Sequence, residues 1–358
     1  MKRLVICCDG TWKSEDSTSP TNVWKLYDLL SDQDPQGVLQ QPFYQPGVGV
    51  DFSRSRSRRI VGRFGGGGFG WGLDANILEI YRWLIREYEP SDELWFFGFS
   101  RGAYTARSTV GLLRNCGLLK PSHEDRLDQA MELYRARDED SRPDAPQSRS
   151  FRRKYSREIE AVAFLGVWDT VGALGIPSSL GSLAGILNRR YQFHDVQLSR
   201  MVQHAYHALA IDEMRSTFKP TLWMDNPERP PTPKLEDRPE VEQVWFVGAH
   251  SDVGGGYDET GLSELALGWM IAKAQSFGLS FDEERLAEEV KPDAGGEIHD
   301  SRWLIHRLPF VGRARLIEPG HRQFIHTAAA MRLGQDRDYE PENLVRALKM
   351  GVPVEGAS

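Results

Sequence analysis

Leu94-Trp95-Phe96-Phe97-Gly98-Phe99-Ser100-Arg101-Gly102-Ala103 is the stretch on which the reading of this chain turns. Its first half is an unbroken apolar run, the pattern of a strand buried on both faces. Its second half is G-x-S-x-G, after which Tyr104-Thr105-Ala106-Arg107 continues as the start of a helix. Strand, sharp turn and helix form the context in which this motif presents an exposed serine on a strained turn. Gly98 and Gly102 let the turn pass close to the strand before it and the helix after it. A helix N-terminus behind Ser100 favours negative charge developing in front of it. Ser100 is therefore the candidate nucleophile.

Three further apolar runs, Leu4–Cys8, Ala161–Trp168 and Val244–Val247, read as strands of the same mainly parallel sheet. Asp9 and Asp169 follow two of them at once, and His250 follows the third after Gly248-Ala249. Open α/β sheets bind ligands beyond the carboxyl ends of their strands. Four chemistry-bearing residues from distant parts of the chain thus arrive at one edge. A serine nucleophile needs a base, and the base an orienting carboxylate. Ser100, Asp169 and His250 supply them in the chain order of α/β-hydrolases. Asp252 competes with Asp169 as the acid, or fixes its own loop, and His207 and His326 are rival bases. An oxyanion hole would combine the N–H of Arg101 with those of the Gly10–Thr11 turn, with Asp9 as a supporting acid.

Two other motifs carry less. A strand ending in D-x-D-G-T marks phosphotransferases with an aspartyl nucleophile and a magnesium ion, but here the first aspartate is replaced by Cys7. Gly65–Gly72 precedes a helix, yet it follows no strand and lacks a Lys-Ser/Thr pair, so it reads as a loop shaping the cleft rather than a phosphate cradle. Asp9, Asp169 and Asp252 together could hold a cation, but a triad with its supports explains them with fewer assumptions. No metal and no cofactor is expected.

Composition narrows the classes. The 358 residues carry a net charge of -7, with 40% hydrophobic and 27% charged residues, as in ordinary globular proteins. Acidity without a concentrated basic face argues against nucleic acid. The basic runs Arg54–Arg63 and Arg149–Arg157 read as solvated faces. Cys7, Cys8 and Cys116 give no disulfide framework. The N-terminus enters a strand at once, and no run of about 18 apolar residues suits a membrane span. The expected location is the cytoplasm, with export by a signal-independent route as the alternative. Trp95, Trp168 and Trp245 are candidate core residues.

The fold expected is α/β: an α/β-hydrolase-like, mainly parallel central sheet flanked by helices, with helical insertions. Leu73–Glu87 places Leu73, Ile77, Ile80, Tyr81, Leu84 and Ile85 on one helical face, and Leu262–Ala274 is a second amphipathic helix. The expectation is one domain over residues 1–340, with inserted segments at about 120–160 and 172–200, a proline-rich surface loop over 225–243 and a poorly structured tail over 341–358.

At these residues the chain resembles the DUF2235 family, the catalytic domain of Tle1-like phospholipase effectors of type VI secretion. The resemblance rests on Cys8–Trp12 with Asn22 downstream, Tyr44–Gly49, Gly70–Asn76, Gly98–Ala103, Val167–Gly172 and His250–Tyr257, and runs to about His326. It implies an α/β-hydrolase core and a serine hydrolase of carboxylic esters, with glycerophospholipids as the family's known substrates. The secreted effectors carry a further membrane-anchoring module, and this chain is too short for a large one. The expected partners are a lipid or other acyl ester and, transiently, a membrane surface. A soluble esterase, thioesterase or amidase with the same triad, and a non-catalytic binding protein on a hydrolase scaffold, are the alternatives.

Overall fold

A computed structural model describes residues 1–10, 19–47, 68–136, 138–172, 198–224, 240–301 and 312–356. Its centre is a sheet of seven strands: β1 (Arg3–Cys8), β2 (Gln40–Gln45), β3 (Glu93–Phe99), β4 (Val162–Trp168), β5 (Val202–Ala210), β6 (Glu240–Phe246) and β7 (Gln323–Ile325). The spatial order is β2-β1-β3-β4-β5-β6-β7, and every neighbouring pair is parallel. The chain leaves β1 toward one side to make β2, then returns past β1 to build the remaining strands on the other side. That reversal lies between β1 and β3, where α/β sheets open a crevice for ligands.

Side chains of β1 alternate between two hydrophobic layers. Leu4, Ile6 and Cys8 pack with Ile77, Ile80 and Leu84 of helix α2 (Gly68–Glu87) and with Ala103, Ala106 and Val110 of α3 (Arg101–Cys116). Val5 and Cys7 face the other layer, with Val23 and Leu26 of α1 (Asn22–Asp28) and Ala266, Leu267 and Met270 of Gly261–Ser276. A strand covered on both faces must be apolar at every position, which is why β1 and β3 stand out in the sequence. Full burial of each large aliphatic side chain here is worth about 1.5–3 kcal/mol. Trp95 and Trp168 are buried in the second of these layers, and Trp245 in a third cluster with Leu209 and Ile325. Cys7, Cys8 and Cys116 are buried free thiols, and burial raises the Cys116 thiol to about 12.

Residues 118–157 leave the sheet as a short antiparallel ribbon, Leu118–Leu119 against Ser156–Arg157. The ribbon brackets α4 (Leu127–Arg135) and α5 (Pro146–Tyr155). Beyond β6 come α6 (His250–Gly254), α7 (Gly261–Ser276), α8 (Glu283–Glu289) and α9 (Thr327–Gln335).

The segment after residue 340 differs from the loose tail expected of it. It forms α10 (Glu342–Lys349), whose Leu344 and Ala347 are fully buried with Trp245 and Ile325, and Val354 bridges to Ile325. Strands β2, β5 and β7 are additions to the four expected. Residues 173–197 of the insertion expected at 172–200, the basic run Arg54–Arg63, the glycines Gly65, Gly66 and Gly67 and residues 225–239 of the loop expected at 225–243 lie outside the described residues, and residues 240–243 of that loop belong to β6.

Candidate active site

Register brings the reactive residues together. Cys8 pairs with Gly98 across β1 and β3, and Phe99 pairs with Trp168 across β3 and β4. The chain therefore exits three adjacent strands at nearly one level, at Asp9, Ser100 and Asp169. The elbow itself depends on missing side chains. A Cβ on Gly102 would lie 2.0 Å from the Cys8 carbonyl oxygen, and one on Gly98 would lie 2.7 Å from the Ala103 nitrogen. Ser100 adopts φ 57°, ψ -119°, a conformation that costs a non-glycine residue on the order of 1–3 kcal/mol. Asp169 also has a positive φ, 38°.

His250 opens α6, four residues past Phe246, the end of β6. Its Nε2 lies 2.9 Å from Ser100 Oγ and its Nδ1 2.5 Å from Asp169 Oδ2. A carboxylate can only accept, so Nδ1 carries the proton and Nε2 accepts from the serine hydroxyl. All three side chains are at least nine-tenths buried. The imidazole lies against Phe99 (centroids 4.6 Å apart) and meets Phe218 edge-on at 4.9 Å. Its backbone N–H donates to Glu213 Oε2 at 3.3 Å, and Glu213 is itself held by Arg215 and Ser301.

Asp169 has a second partner. Arg315 donates from Nη1 to Oδ1 at 2.6 Å and from Nη2 to Oδ2 at 2.8 Å. The same two nitrogens donate to the carbonyls of Ala210 and Phe218, at 2.9 and 2.6 Å. Burial on its own would raise the Asp169 carboxyl. The Arg315 charge and the hydrogen bonds from His250 and Arg315 prevail and hold it far below the ordinary carboxylate range.

The rivals named from sequence have other partners. Asp252 Oδ2 accepts from the N–H groups of Ala249 and His299, and Oδ1 meets His299 Nδ1 at 2.7 Å. It ties its own loop to residue 299. His207 Nε2 accepts the Thr170 N–H, and burial, aided by Arg107, lowers this imidazole to about 3. His326 caps α9, stacks on Phe246 and is lowered by burial to about 4.

Asp9 is a buried acceptor beside the nucleophile. Its Oδ2 accepts from Thr21 Oγ1 and from the Tyr44 hydroxyl, both at 2.6 Å, and its Oδ1 accepts the Gly10 N–H at 2.6 Å. A Cβ on Gly10 would be 3.4 Å from Ser100 Cβ, so this turn borders the nucleophile. The Gly10 N–H points at Asp9, however, and would have to leave it to serve an oxyanion. Thr11 lies outside the described residues. Arg101 begins α3 directly behind Ser100, and burial lowers its guanidinium to about 10. Asp9, Asp169 and Asp252 each face a different set of partners, and among the described residues no group of three or more His, Cys, Asp or Glu is arranged to hold a metal ion. Nor, among those residues, is any helix long and apolar enough to cross a membrane.

Arg315, Glu213 and Phe218 were not found by sequence reasoning. None belongs to a motif or follows an apolar strand directly, so no local signal marks them.

Residues 2–273 match the family model described as type VI secretion phospholipase effector Tle1-like, catalytic domain. An uncharacterized protein of Saccharomyces cerevisiae is 26% identical over 425 residues, covering 84% of this chain and 59% of the yeast protein. An uncharacterized Pseudomonas aeruginosa protein of known crystal structure is 21% identical with a TM-score of 0.46, covering 82% of this chain and 49% of its own. The Tle1 effector bound to the VgrG spike of the type VI secretion system is 19% identical with a TM-score of 0.38, covering 72% of this chain and 51% of its own. The chain thus spans about three fifths of the yeast relative and about half of each solved structure.

Proposed function

Since the chain belongs to the family of Tle1-like phospholipase effector catalytic domains, we propose that it is a serine hydrolase of carboxylic esters, acting on lipid or phospholipid acyl chains. The observation that carries this reading is the hydrogen-bond chain Ser100–His250–Asp169, at 2.9 and 2.5 Å. Ser100 Oγ attacks the ester carbonyl while His250 Nε2 takes its proton. Asp169 holds the imidazole in the tautomer that accepts at Nε2 and stabilises the imidazolium that results. Negative charge on the carbonyl oxygen faces the first turn of α3, where the Arg101 N–H and the helix dipole favour it. The tetrahedral intermediate collapses to an acyl-enzyme as His250 returns the proton to the leaving alcohol. Water then repeats the sequence and frees the fatty acid. The family's type VI effectors point to a membrane surface as the place where substrate is met.

Hydrolysis of p-nitrophenyl esters from acetate to palmitate, beside release of fatty acid from phosphatidylethanolamine and phosphatidylcholine vesicles, tests the reading. Activity should fall on the order of 10⁴-fold or more in Ser100→Ala. A folded Ser100→Ala protein that turns over normally would sink it. Activity on short esters alone would replace phospholipid by a small soluble ester.

A further inference from the structure

The segment 312–318 lies beyond residues 2–273, the part of the chain that matches the family model. It is built into the site nevertheless. Gly312 bridges to Arg215, the Arg313 N–H donates to the Met214 carbonyl, and Ile317 is buried with Leu209 and Trp245. These anchors hold Arg315, only 7% exposed, against both oxygens of the Asp169 carboxylate, including Oδ2, the one His250 also meets. Each terminal guanidinium nitrogen engages one carboxylate oxygen and also donates to a backbone carbonyl, Nη1 to Ala210 and Nη2 to Phe218. An arginine fork gives a carboxylate one orientation as well as charge.

We propose that Arg315 is a positioning residue of the hydrolase, one that orients Asp169 toward His250 and sets the pH at which the Asp169–His250 pair takes up an inactivating proton. The inference rests on the serine-hydrolase reading and deepens it. In the working state the pair carries one negative charge, on Asp169, and the imidazole is neutral. A proton added to either member neutralises the pair and blocks attack by Ser100. The Arg315 cation stabilises the charged pair and opposes that proton wherever it lands. Removing the cation therefore moves the acidic limb of kcat/KM upward in pH.

The other charges around His250 do not duplicate this. Glu213 meets its backbone N–H and is neutralised by Arg215, which in turn lies over Phe218. Asp252, on the same helix as His250, bonds Ala249 and His299. Buried His207, behind Asp169, accepts from Thr170. Among the described residues, Arg315 is the cation in direct contact with the pair.

The test compares wild type, Arg315→Met, Arg315→Lys and Ser100→Ala in two assays: pH profiles of kcat/KM on p-nitrophenyl butyrate, and the rate of labelling by a fluorophosphonate probe. Arg315→Met should move the acidic limb up by roughly one pH unit and lower the plateau about 100-fold. Arg315→Lys keeps a charge without the fork, so its limb should stay near that of wild type while its plateau falls about tenfold. A purely structural role would lower the amount of folded enzyme without moving the limb. Both variants matching wild type in limb and plateau would overturn the proposal. If Arg315→Met does not fold, Arg315→Lys decides, with its plateau expressed per site labelled by the fluorophosphonate at completion: a wild-type plateau per labelled site refutes the fork, and a reduced plateau per labelled site supports it. Loss of Ser100-dependent labelling in wild type itself would instead remove the hydrolase reading, and this inference with it.

Discussion

Replacing Asp169 by Asn separates what the buried carboxylate does for catalysis from what it does for stability. The amide keeps the shape but removes the charge, so Arg315 is left buried without a counter-charge, facing only neutral acceptors, the amide oxygen and the Ala210 and Phe218 carbonyls. Breaking a buried ion pair from one side costs about 3–5 kcal/mol. The two carbonyls remain, which places this case near about 3 kcal/mol. For 358 residues the unfolding entropy is about 0.75 kcal/mol/K, so the melting temperature should fall by about 4 °C. Turnover should fall about 10⁴-fold, because an amide can donate to His250 Nδ1 and trap the wrong tautomer. The double variant Asp169→Asn/Arg315→Met removes the orphaned charge. Its stability should return to within about 1 kcal/mol of wild type while its activity stays lost. Thermal unfolding followed by circular dichroism and ester hydrolysis on the same preparations read both quantities. An Asp169→Asn protein as stable as wild type, or a double variant as unstable as the two single losses added, would refute the ion-pair reasoning.

Asp252→Asn should cost no more than about tenfold in turnover, since its partners are Ala249 and His299 rather than the His250 ring; a larger loss than that of Asp169→Asn would transfer the acid role to Asp252. His207 makes stability depend on pH. Its imidazole is lowered to about 3 in the folded chain, so below the ordinary value of about 6.5 the unfolded chain binds a proton that the folded chain refuses. Stability from this residue is complete above that ordinary value and is lost as pH falls toward the folded one, amounting to about 3 kcal/mol at pH of about 4.5. Urea unfolding at neutral and acid pH should show His207→Gln losing less stability on acidification than wild type, and equal losses would remove His207 as the cause.

The elbow strand, β1, β4 and β6 were legible because both faces of each are covered, leaving continuous apolar runs. β2 was not: Pro42 and three glutamines disguise it, and proline is tolerated there because β2 is an edge strand. β5 was hidden by His204 and His207, although it lies in the interior of the sheet. His207 is acceptable there because Thr170 donates to it and Gln243 meets its other nitrogen. α10 was taken for tail because its surface is charged, and its buried apolar residues, Leu344 and Ala347, are too few to announce a core helix. Ser100, Asp169 and His250 could be read because each follows a legible strand. Arg315 and Glu213 could not, since their partners are far away in sequence.

The position of Arg315 bears on how far the working unit extends. The family match stops at residue 273, yet β7, α10 and the segment carrying Arg315 follow it. β7 closes the sheet beside β6, the strand that leads to His250. α10 covers Trp245 and Ile325 from the same side. A triad carboxylate with no solvent access is a strained design unless something offsets its charge, because desolvation favours the neutral acid. Among the described residues within 2–273, only the His250 ring and the Ala210 N–H, at 3.2 Å, meet the Asp169 carboxylate. The compensating cation comes from outside that span. On the proposed reading, the chemistry and the charge balance that permits it are therefore encoded in different segments, and the catalytic unit would reach at least to Arg315.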